Sequence, residues 1–451
     1  MKENPASDLI KFRVPLLIGI TLFVIYLGQS ITVSPFTTIG IVAFVLFIGI
    51  LLRHLEIAIL LLLVIRASLD IFSDVNIPLL GSSARLNPAA ILALTTTVIG
   101  IYYILVKRIN VLKISISRPY LLFLIIAFAT ISISPNKVLS VREWSRFLSI
   151  YILYILIVDI AKDKKDIKRI VQTIFISAVV PLMVGSYQIF TGSGRYDWVA
   201  NVTQIKSIFV YPNGYAAYLA ILLSILIVFA LYSHSKWTTT WFLLLGGVMS
   251  INLLFTYVRG PIVGLIVAIL IIGALKDKKV WIVFPFLAML VYFFPTLLGR
   301  FNLLLNRSTY EAGSLAWRFR LWQRTITLIT SSPLVGHGAA TFPIHTLSLT
   351  GQTAGAHNDY LRFLVEYGAF GLTALIWMTA ILFKEALELF KKASSSFYQM
   401  IGLSFIAALT IHTVNATFNN VSFRPGLSWY LFSLGAVVHR ILIIERSRRP
   451  S

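Results

Sequence analysis

The chain has 451 residues, of which 58% are hydrophobic and 12% are charged, and its mean hydropathy is +0.85. This composition excludes a water-soluble domain of this length. The formal net charge of +22 does not call for a nucleic-acid partner, because membrane proteins concentrate basic residues in their cytoplasmic loops. The absence of cysteine excludes a disulfide framework, a thiolate nucleophile and a cysteine-based metal site.

The apolar runs predict an all-α polytopic membrane protein, a bundle of about 12–14 transmembrane helices. We place the runs near 14–33, 36–52, 54–69, 88–106, 118–135, 144–161, 167–190, 212–232, 239–257, 260–275, 279–298, 357–382, 398–417 and 426–443. No small-residue cleavage pattern follows the first run, so we expect no cleaved signal peptide. We therefore predict a single integral membrane domain over 1–451.

The basic residues fall into two classes when the spans are threaded from a cytoplasmic N-terminus, which Lys2, Lys11 and Arg13 predict. Nearly all lysines then lie on the cytoplasmic side, as does the C-terminus. Many arginines lie on the outer side: Arg66, Arg85, Arg142, Arg146, Arg195, Arg259, Arg300, Arg307, Arg318, Arg320, Arg324, Arg362 and Arg424. Because arginine binds phosphate and carboxylate through a planar fork, this excess predicts an anionic ligand outside. The alternative is pairing with outer acids such as Asp70 and Glu143.

An arginine at a predicted helix break is the first candidate for such a ligand. Arg259 stands in "FTYVRGPIVG" between two apolar runs, where Gly260 and Pro261 break or kink the helix. An ionisable residue at a break in a membrane bundle is costly to desolvate unless an anion is near, so it is a candidate functional residue. The alternative is a loop arginine that reaches the lipid headgroups.

The longest predicted non-membrane segment is an outer loop over 299–356. Helical apolar spacing from Leu315 to Ile329 predicts an amphipathic helix at the outer interface, which stops at Pro333 and Gly336.

Helical spacing sorts the polar residues of this amphipathic helix. Arg318 and Trp322 are four apart and share one face, whereas Arg320 and Arg324 share another. Only one of these pairs can easily face a common site. Solvent or lipid headgroups are the alternative surroundings for Arg320 and Arg324.

The stretch "GAHNDYLRFLVEYGAFG" begins a late apolar run. We expect His357 in the first helical turn, where the positive helix end and nearby arginines lower its pKa and favour neutral imidazole, which can accept a proton. The alternative is an ordinary capping region, with Asn358 and Asp359 as capping groups. Arg362 and Glu366 are four apart and can simply pair.

Other chemistry finds no support in the sequence. His337, in "VGHGAA", is a rival to His357, but its flanking glycines indicate a turn. Neither a nucleotide-binding loop nor an HExxH motif occurs, so we expect no nucleotide cofactor and no metal.

Four blocks resemble the O-antigen ligase and O-antigen polymerase-like superfamily in order, spacing and topology: "SIFVYPNGYAAYLA", "YVRGPIVGLIVAI", "WRFRLWQRTITLITSSPLVGHGAATF" and "AHNDYLRFLVEYGAFGL". The resemblance covers roughly 205–385, and the earlier part of the chain matches only as generic spans. One departure is the "GHG" around His337, where the family more often has an aliphatic residue.

The resemblance implies an inverting, metal-independent glycosyl transfer at the outer face of the bacterial inner membrane. The implied donor is a glycan linked through pyrophosphate to undecaprenyl. The implied acceptor is a glycan hydroxyl on a lipid-linked repeat, a lipid A core or another wall glycan. By position, Arg259 and Arg318 match pyrophosphate-binding arginines, and His357 matches the histidine that activates the acceptor. The expected substrate-contacting residues are Arg320, Trp322, Asn358, Asp359, Glu366 and Asn213.

Two other classes of protein stay open. A transporter or flippase of an anionic lipid-linked glycan would also place arginines outside, although no internal repeat is visible. A scaffolding subunit of an export system would tolerate the loss of all three candidate residues. Within the enzyme class, the span count slightly favours a polymerase over a ligase.

Overall fold

The computed structural model describes residues 46–72, 77–78, 85–197, 201–282, 284–285, 315–351 and 353–448. The predicted spans 14–33, 36–52 and 279–298 fall wholly or mostly outside these residues. The chain divides into two compact units, Met1–Val64 and Ile65–Ser451. In the first unit the described residues are helical over 46–53 and again from Leu55.

The structure confirms an all-α architecture. The helices are α1 (Leu55–Arg66), α2 (Pro88–Val106), α3 (Ser117–Ala129), α4 (Lys137–Ile160), α5 (Lys164–Ile176), α6 (Val179–Thr191), α7 (Pro212–Tyr232), α8 (Lys236–Phe255), α9 (Arg259–Leu275), α10 (Leu315–Ser331), α11 (Phe342–Thr350), α12 (Asp359–Lys392), α13 (Ser396–Ala416) and α14 (Pro425–Ser447). Two short antiparallel ribbons join β1 (Ile77–Pro78) to β2 (Arg85–Leu86) and β3 (Arg195–Asp197) to β4 (Val202–Gln204).

The protein is a multi-pass membrane protein. Within the described ranges, seven helical segments are long and apolar enough to cross a bilayer: Pro88–Val106, Lys164–Thr191, Pro212–Tyr232, Lys236–Phe255, Asp359–Lys392, Ser396–Ala416 and Gly426–Ser447. Ser117–Ala129 and Arg259–Leu275 are shorter apolar helices. The predicted run 167–190 corresponds to α5 and α6 together.

Burial separates the interior helices from the peripheral ones. Helices α7, α13 and α14 carry fully buried large side chains such as Tyr215, Phe405 and Trp429. Helix α13 packs against α7, α9 and α12, and α14 packs against α4. Helix α8 instead exposes Trp237 and Trp241, as expected for a face in contact with lipid. The core of the second unit is therefore built around α7, α13 and α14.

Polar residues gather where several helices begin. The first residues of α7, α9, α12 and α14 and the last residues of α13 meet at one end of the second unit, which we call the arginine end. Thus Asn213 in α7 donates to Asn419, just after α13, over 2.8 Å. At the opposite end, Lys107 after α2 pairs with Asp159 near the end of α4 over 3.0 Å. All sequence-predicted site residues lie at the arginine end or in the α10 to α12 segment that packs onto it.

Candidate functional site

His357 lies just before α12 in a left-handed backbone conformation, with φ of +49°. It thus precedes the helix, rather than standing in its first turn as the sequence analysis expected, because Asn358 is the cap: its Oδ1 accepts a hydrogen bond from Leu361 N over 3.1 Å. A positive φ is unusual for a residue other than glycine and is held here by the surrounding structure. Asn358 therefore has the capping role that the sequence offered as its alternative.

Trp322 on α10 fixes the backbone next to His357. Its indole Nε1 donates to Ala356 O over 2.8 Å. Leu321, Phe342, Ala356 and Val365 form a buried cluster that holds α10 and α11 against α12. The structure thus gives Trp322 a positioning contact with the chain, and contact of its ring with a sugar stays a prediction.

The environment of His357 is cationic. Its pKa is lowered to about 4, first by burial and then by the positive charges of Arg318 and Arg424. The predicted direction of this shift agrees with the structure, although burial contributes most. The imidazole is therefore neutral at physiological pH and can accept a proton.

Arg318 occupies the inward face of α10. Its Nη1 donates to Phe418 O over 3.1 Å, and its buried Nε has no hydrogen-bond partner. Its pKa falls to about 10, mainly through burial and then through the charge of Arg259. Helical spacing correctly separated this face from the exposed one that carries Arg320 and Arg324. Arg324 donates to Leu349 O, and the role of Arg320 in substrate binding stays a prediction.

Arg259 is the first residue of α9 and lies close enough to Arg318 for their charges to interact. The residue after it, Gly260, packs so tightly that a Cβ would stand 2.8 Å from the side-chain atoms Asn415 Oδ1 and Asn419 Nδ2. A larger residue here would have to displace these two amide groups, so Gly260 keeps the start of α9 close to the amides at the end of α13.

An amide chain lies beside these two arginines. Asn213 Nδ2 donates to Asn419 Oδ1 over 2.8 Å, and Asn419 Nδ2 donates to Asn415 Oδ1 over 2.7 Å. The buried Nδ2 of Asn415 has no partner. The predicted residue Asn213 therefore belongs to the arginine end, in a network that links α7 to α13.

Arg424 is the cation that the sequence-based list of site residues omits. It stands immediately before α14, half-buried, and its charge acts on His357. A signal for it was present in the sequence: "VRGP" at Arg259 and "FRPG" at Arg424 both place arginine directly before proline and glycine at the start of an apolar run.

Glu366 belongs to a buried ion network rather than to an open surface. Its carboxylate is completely buried and accepts from Arg362 Nε over 2.9 Å and from Phe342 N over 3.1 Å. Arg362 also donates to Glu143 over 3.0 Å, and Glu143 pairs with Arg146 over 2.6 Å. The expected pairing of Arg362 with Glu366 is present, and the network ties α12 to α4 and to the start of α11.

Gly368 breaks α12 two residues after Glu366. Its φ of +62° and ψ of −166° are not helical, and a Cβ there would stand 2.2 Å from the carbonyl of Leu334. The "PLVGHG" turn enters this break, since His337 N donates to Val365 O over 2.7 Å and Ala369 N donates to Pro333 O over 2.8 Å. Gly368 therefore leaves the space that the turn occupies.

His337 is part of this same turn. Its Nε2 lies 2.8 Å from Leu328 O and 3.1 Å from Ser331 Oγ. His337 therefore lies in a turn, as the flanking glycines indicated. Its side-chain contacts join that turn to α10.

Asp359 fixes the loop that leads to Arg424. Its completely buried carboxylate accepts from Ser422 N over 2.7 Å through Oδ2, while Oδ1 has no partner. Next to this contact, a mostly apolar cavity extends into the bundle between α3, α4, α12, α13 and α14. Residues that line it include Phe147, Phe363, Leu409, His412, Ser422 and Phe432.

The structure therefore brings two kinds of chemistry together at the arginine end. Arg259, Arg318 and Arg424 supply permanent positive charge, and His357 supplies a neutral base. No group of at least three His, Asp or Glu side chains that could hold a metal occurs within the described ranges. The arrangement is suited to binding an anionic group and accepting a proton beside it.

Comparison with protein families supports the resemblance drawn from the sequence blocks. Residues 244–376 match the family described as O-antigen ligase. This range contains Arg259, Arg318 and His357, together with Glu366 and Gly368, and it lies within the 205–385 range of the resemblance. No curated protein matches the chain. The match confirms the resemblance to the O-antigen ligase and polymerase-like superfamily.

Proposed function

We propose that this multi-pass membrane protein, in which residues 244–376 match the O-antigen ligase family, is an inverting glycosyltransferase that polymerises or ligates undecaprenyl-pyrophosphate-linked glycans. The observation that carries the proposal is a neutral His357 close enough to Arg318 and Arg424 for their charges to lower its pKa, with Arg259 acting on Arg318 in the same way. A scaffold needs no such juxtaposition of a base and cations.

In the proposed reaction the donor pyrophosphate lies on Arg259 and Arg318. The acceptor hydroxyl oxygen attacks the anomeric carbon from the face opposite the pyrophosphate, so the new glycosidic bond forms with inversion. The bond between the anomeric carbon and the phosphate oxygen breaks, and the lipid pyrophosphate leaves with an additional negative charge. Preorganised cations stabilise this developing charge in the transition state.

His357 takes the proton that the acceptor hydroxyl loses. General-base assistance of this kind contributes roughly 10²–10⁴-fold to rate. Because pyrophosphate is a good leaving group, the reaction needs neither a metal nor a nucleotide in principle. The free energy comes from the donor linkage.

The polar supports have positioning roles in this proposal. Trp322 and Asn358 hold the backbone on either side of His357, and Asn213 extends the amide chain beside Arg259. Asp359 and Glu366 hold neighbouring segments through Ser422 and Phe342.

We infer the side of the membrane that the site faces from the tendency of basic loops to lie in the cytoplasm. We place the arginine end at the outer face of the bacterial inner membrane and both termini in the cytoplasm. The basic clusters at 107–113 and 162–168 then face the cytoplasm. The lipid-linked donor reaches the outer face already activated.

The alanine variants Arg259→Ala, Arg318→Ala and His357→Ala test the proposal in the producing cell. We expect each to abolish transfer while the protein accumulates in the membrane normally, since each removes charge stabilisation or the base. Arg324→Gln is the matched control, because Arg324 lies on the exposed face of the same helix as Arg318.

Analysis of the surface glycan of these strains also distinguishes a polymerase from a ligase, which differ in their acceptors. Single-repeat products indicate a lost polymerase, and full-length lipid-linked chains without their final acceptor indicate a lost ligase. Normal glycan from all three variants would contradict the proposed function.

A further inference from the structure

Arg424 is a cation that the pyrophosphate-binding pair of the proposed function does not include. It directly precedes α14, and its Nη1 lies 2.7 Å from the position that a Cβ on Gly214 would occupy. Its guanidinium carbon lies 5.8 Å from the centre of the Tyr211 ring. The start of α7 is therefore shaped to accommodate this one side chain.

Two other arginines near this end of the bundle have carboxylate partners. Arg66 pairs with Asp70 over 3.0 Å, and Arg362 lies 2.9 Å from Glu366 and 3.0 Å from Glu143. Arg424 has no such partner: among the described residues no carboxylate lies within 4.0 Å of its guanidinium. Burial lowers the pKa of Arg424 more than the charges of Asp70 and Asp359 raise it, so the site holds a partly desolvated positive charge with no carboxylate in direct contact. An arrangement of this kind is costly unless an anion binds.

Arg424 and Arg318 approach His357 separately. Both charges act on His357. The charges that act on Arg424 itself are those of Asp70, Asp359 and Tyr211, whereas Arg318 has Arg259 as its charged neighbour. His357 therefore lies within reach of both Arg318 and Arg424, and Arg259 is a charged neighbour of Arg318 alone among these groups.

A pyrophosphate diester carries two negative charges on adjacent phosphates. One arginine pair suits one phosphate, and a third guanidinium near the same histidine suits the other. We propose that Arg424 binds the phosphate of the lipid-linked donor that the Arg259–Arg318 pair does not hold. This inference rests on the proposed function and assigns it a third phosphate-binding residue, outside the 244–376 family match.

The experiment compares two lipids on the full-length protein in nanodiscs. Undecaprenyl pyrophosphate has both phosphates and undecaprenyl monophosphate has one. We expect Arg424→Gln to weaken binding of the pyrophosphate lipid about tenfold or more, and binding of the monophosphate lipid less than about threefold, because one charge-assisted contact is lost. Arg424→Lys should recover part of the loss.

Arg195→Gln is the matched control, because Arg195 stacks on the same Tyr211 ring at 5.1 Å but is exposed. It should leave both affinities unchanged. Should Arg424→Gln fail to fold, Gly214→Ala keeps the arginine and displaces it, and it should show the same selective loss.

Each outcome distinguishes this inference from the function on which it rests. Equal weakening of both lipids by Arg424→Gln, or no weakening, overturns the role of Arg424. If Arg318→Gln weakens the pyrophosphate lipid and Arg424→Gln does not, only this inference fails. If the wild-type protein does not prefer pyrophosphate and Arg318→Gln changes nothing, the proposed function fails as well.

Discussion

His357, the base of the proposed reaction, lies in surroundings that lower its basicity. With a pKa of about 4, it is neutral at physiological pH but a weak proton acceptor. A pyrophosphate on the neighbouring arginines would offset the charges that lower this pKa. The imidazole would then become more basic when the donor is bound, which is when the reaction needs a base.

The pH profile tests this coupling. The neutral imidazole is the active form, so kcat/KM should stay level above the free-enzyme pKa and fall as the pH drops through about 4. The fall in kcat should lie at a higher pH, because donor anions stabilise the imidazolium. Arg424→Gln removes a cation, raises the pKa of His357 and should move the kcat/KM limb upward. If the kcat/KM of the wild type instead falls near the ordinary histidine pKa of about 6.5, the proposed environment of His357 is contradicted.

At the scale of elements, the break in α12 positions the base. The segment that carries Pro333 and His337 enters the break at Gly368, while Glu366 holds the start of α11. Helix α10 then reaches across to place Trp322 on Ala356. Gly368 and His357 are thus connected through the packing of α10 and α11 on α12. Gly368 supports the segment that carries His357 without contacting it.

Gly368→Ala tests this support. A side chain at φ of +62° costs about 1–3 kcal/mol from the backbone alone, and its Cβ would meet the Leu334 carbonyl at 2.2 Å. We expect a lower melting temperature in detergent and a loss of transfer activity. Gly247→Ala, in α8 with no atom within 4 Å of the new Cβ, should change neither. Equal behaviour of the two variants would mean that the break has no role.

The sequence predicted contacts correctly where both residues lie in the same helix. Four-residue spacing placed Arg318 with Trp322 and predicted that Arg362 pairs with Glu366. It failed where two distant elements meet. Arg424 reaches His357 only because α14 packs beside α7 and α12, and Asn213 reaches Asn419 only through the packing of α7 on α13. No local periodicity encodes such contacts.

At the scale of the whole molecule, lysines gather at one end of the described bundle, whereas arginines occur at both ends. One lysine cluster, at 162–168, lies just before α5 and in its first turns. The partly buried arginines without carboxylate partners, Arg318 and Arg424, lie at the opposite end of the described bundle. The pairing explanation for outer arginines holds for Arg66, Arg146 and Arg362. We therefore propose that the lysine clusters mark the cytoplasmic side and that the arginines without carboxylate partners bind an anion.

The most direct measurement is transfer by the purified protein in vesicles supplied with an undecaprenyl-pyrophosphate-linked glycan and a candidate acceptor. The account predicts a longer or newly linked glycan and stoichiometric release of undecaprenyl pyrophosphate from the wild type. It predicts neither from His357→Ala and normal transfer from Arg324→Gln. Movement of intact lipid-linked glycan across the vesicle without any new glycosidic bond would contradict it, as would wild-type transfer by His357→Ala.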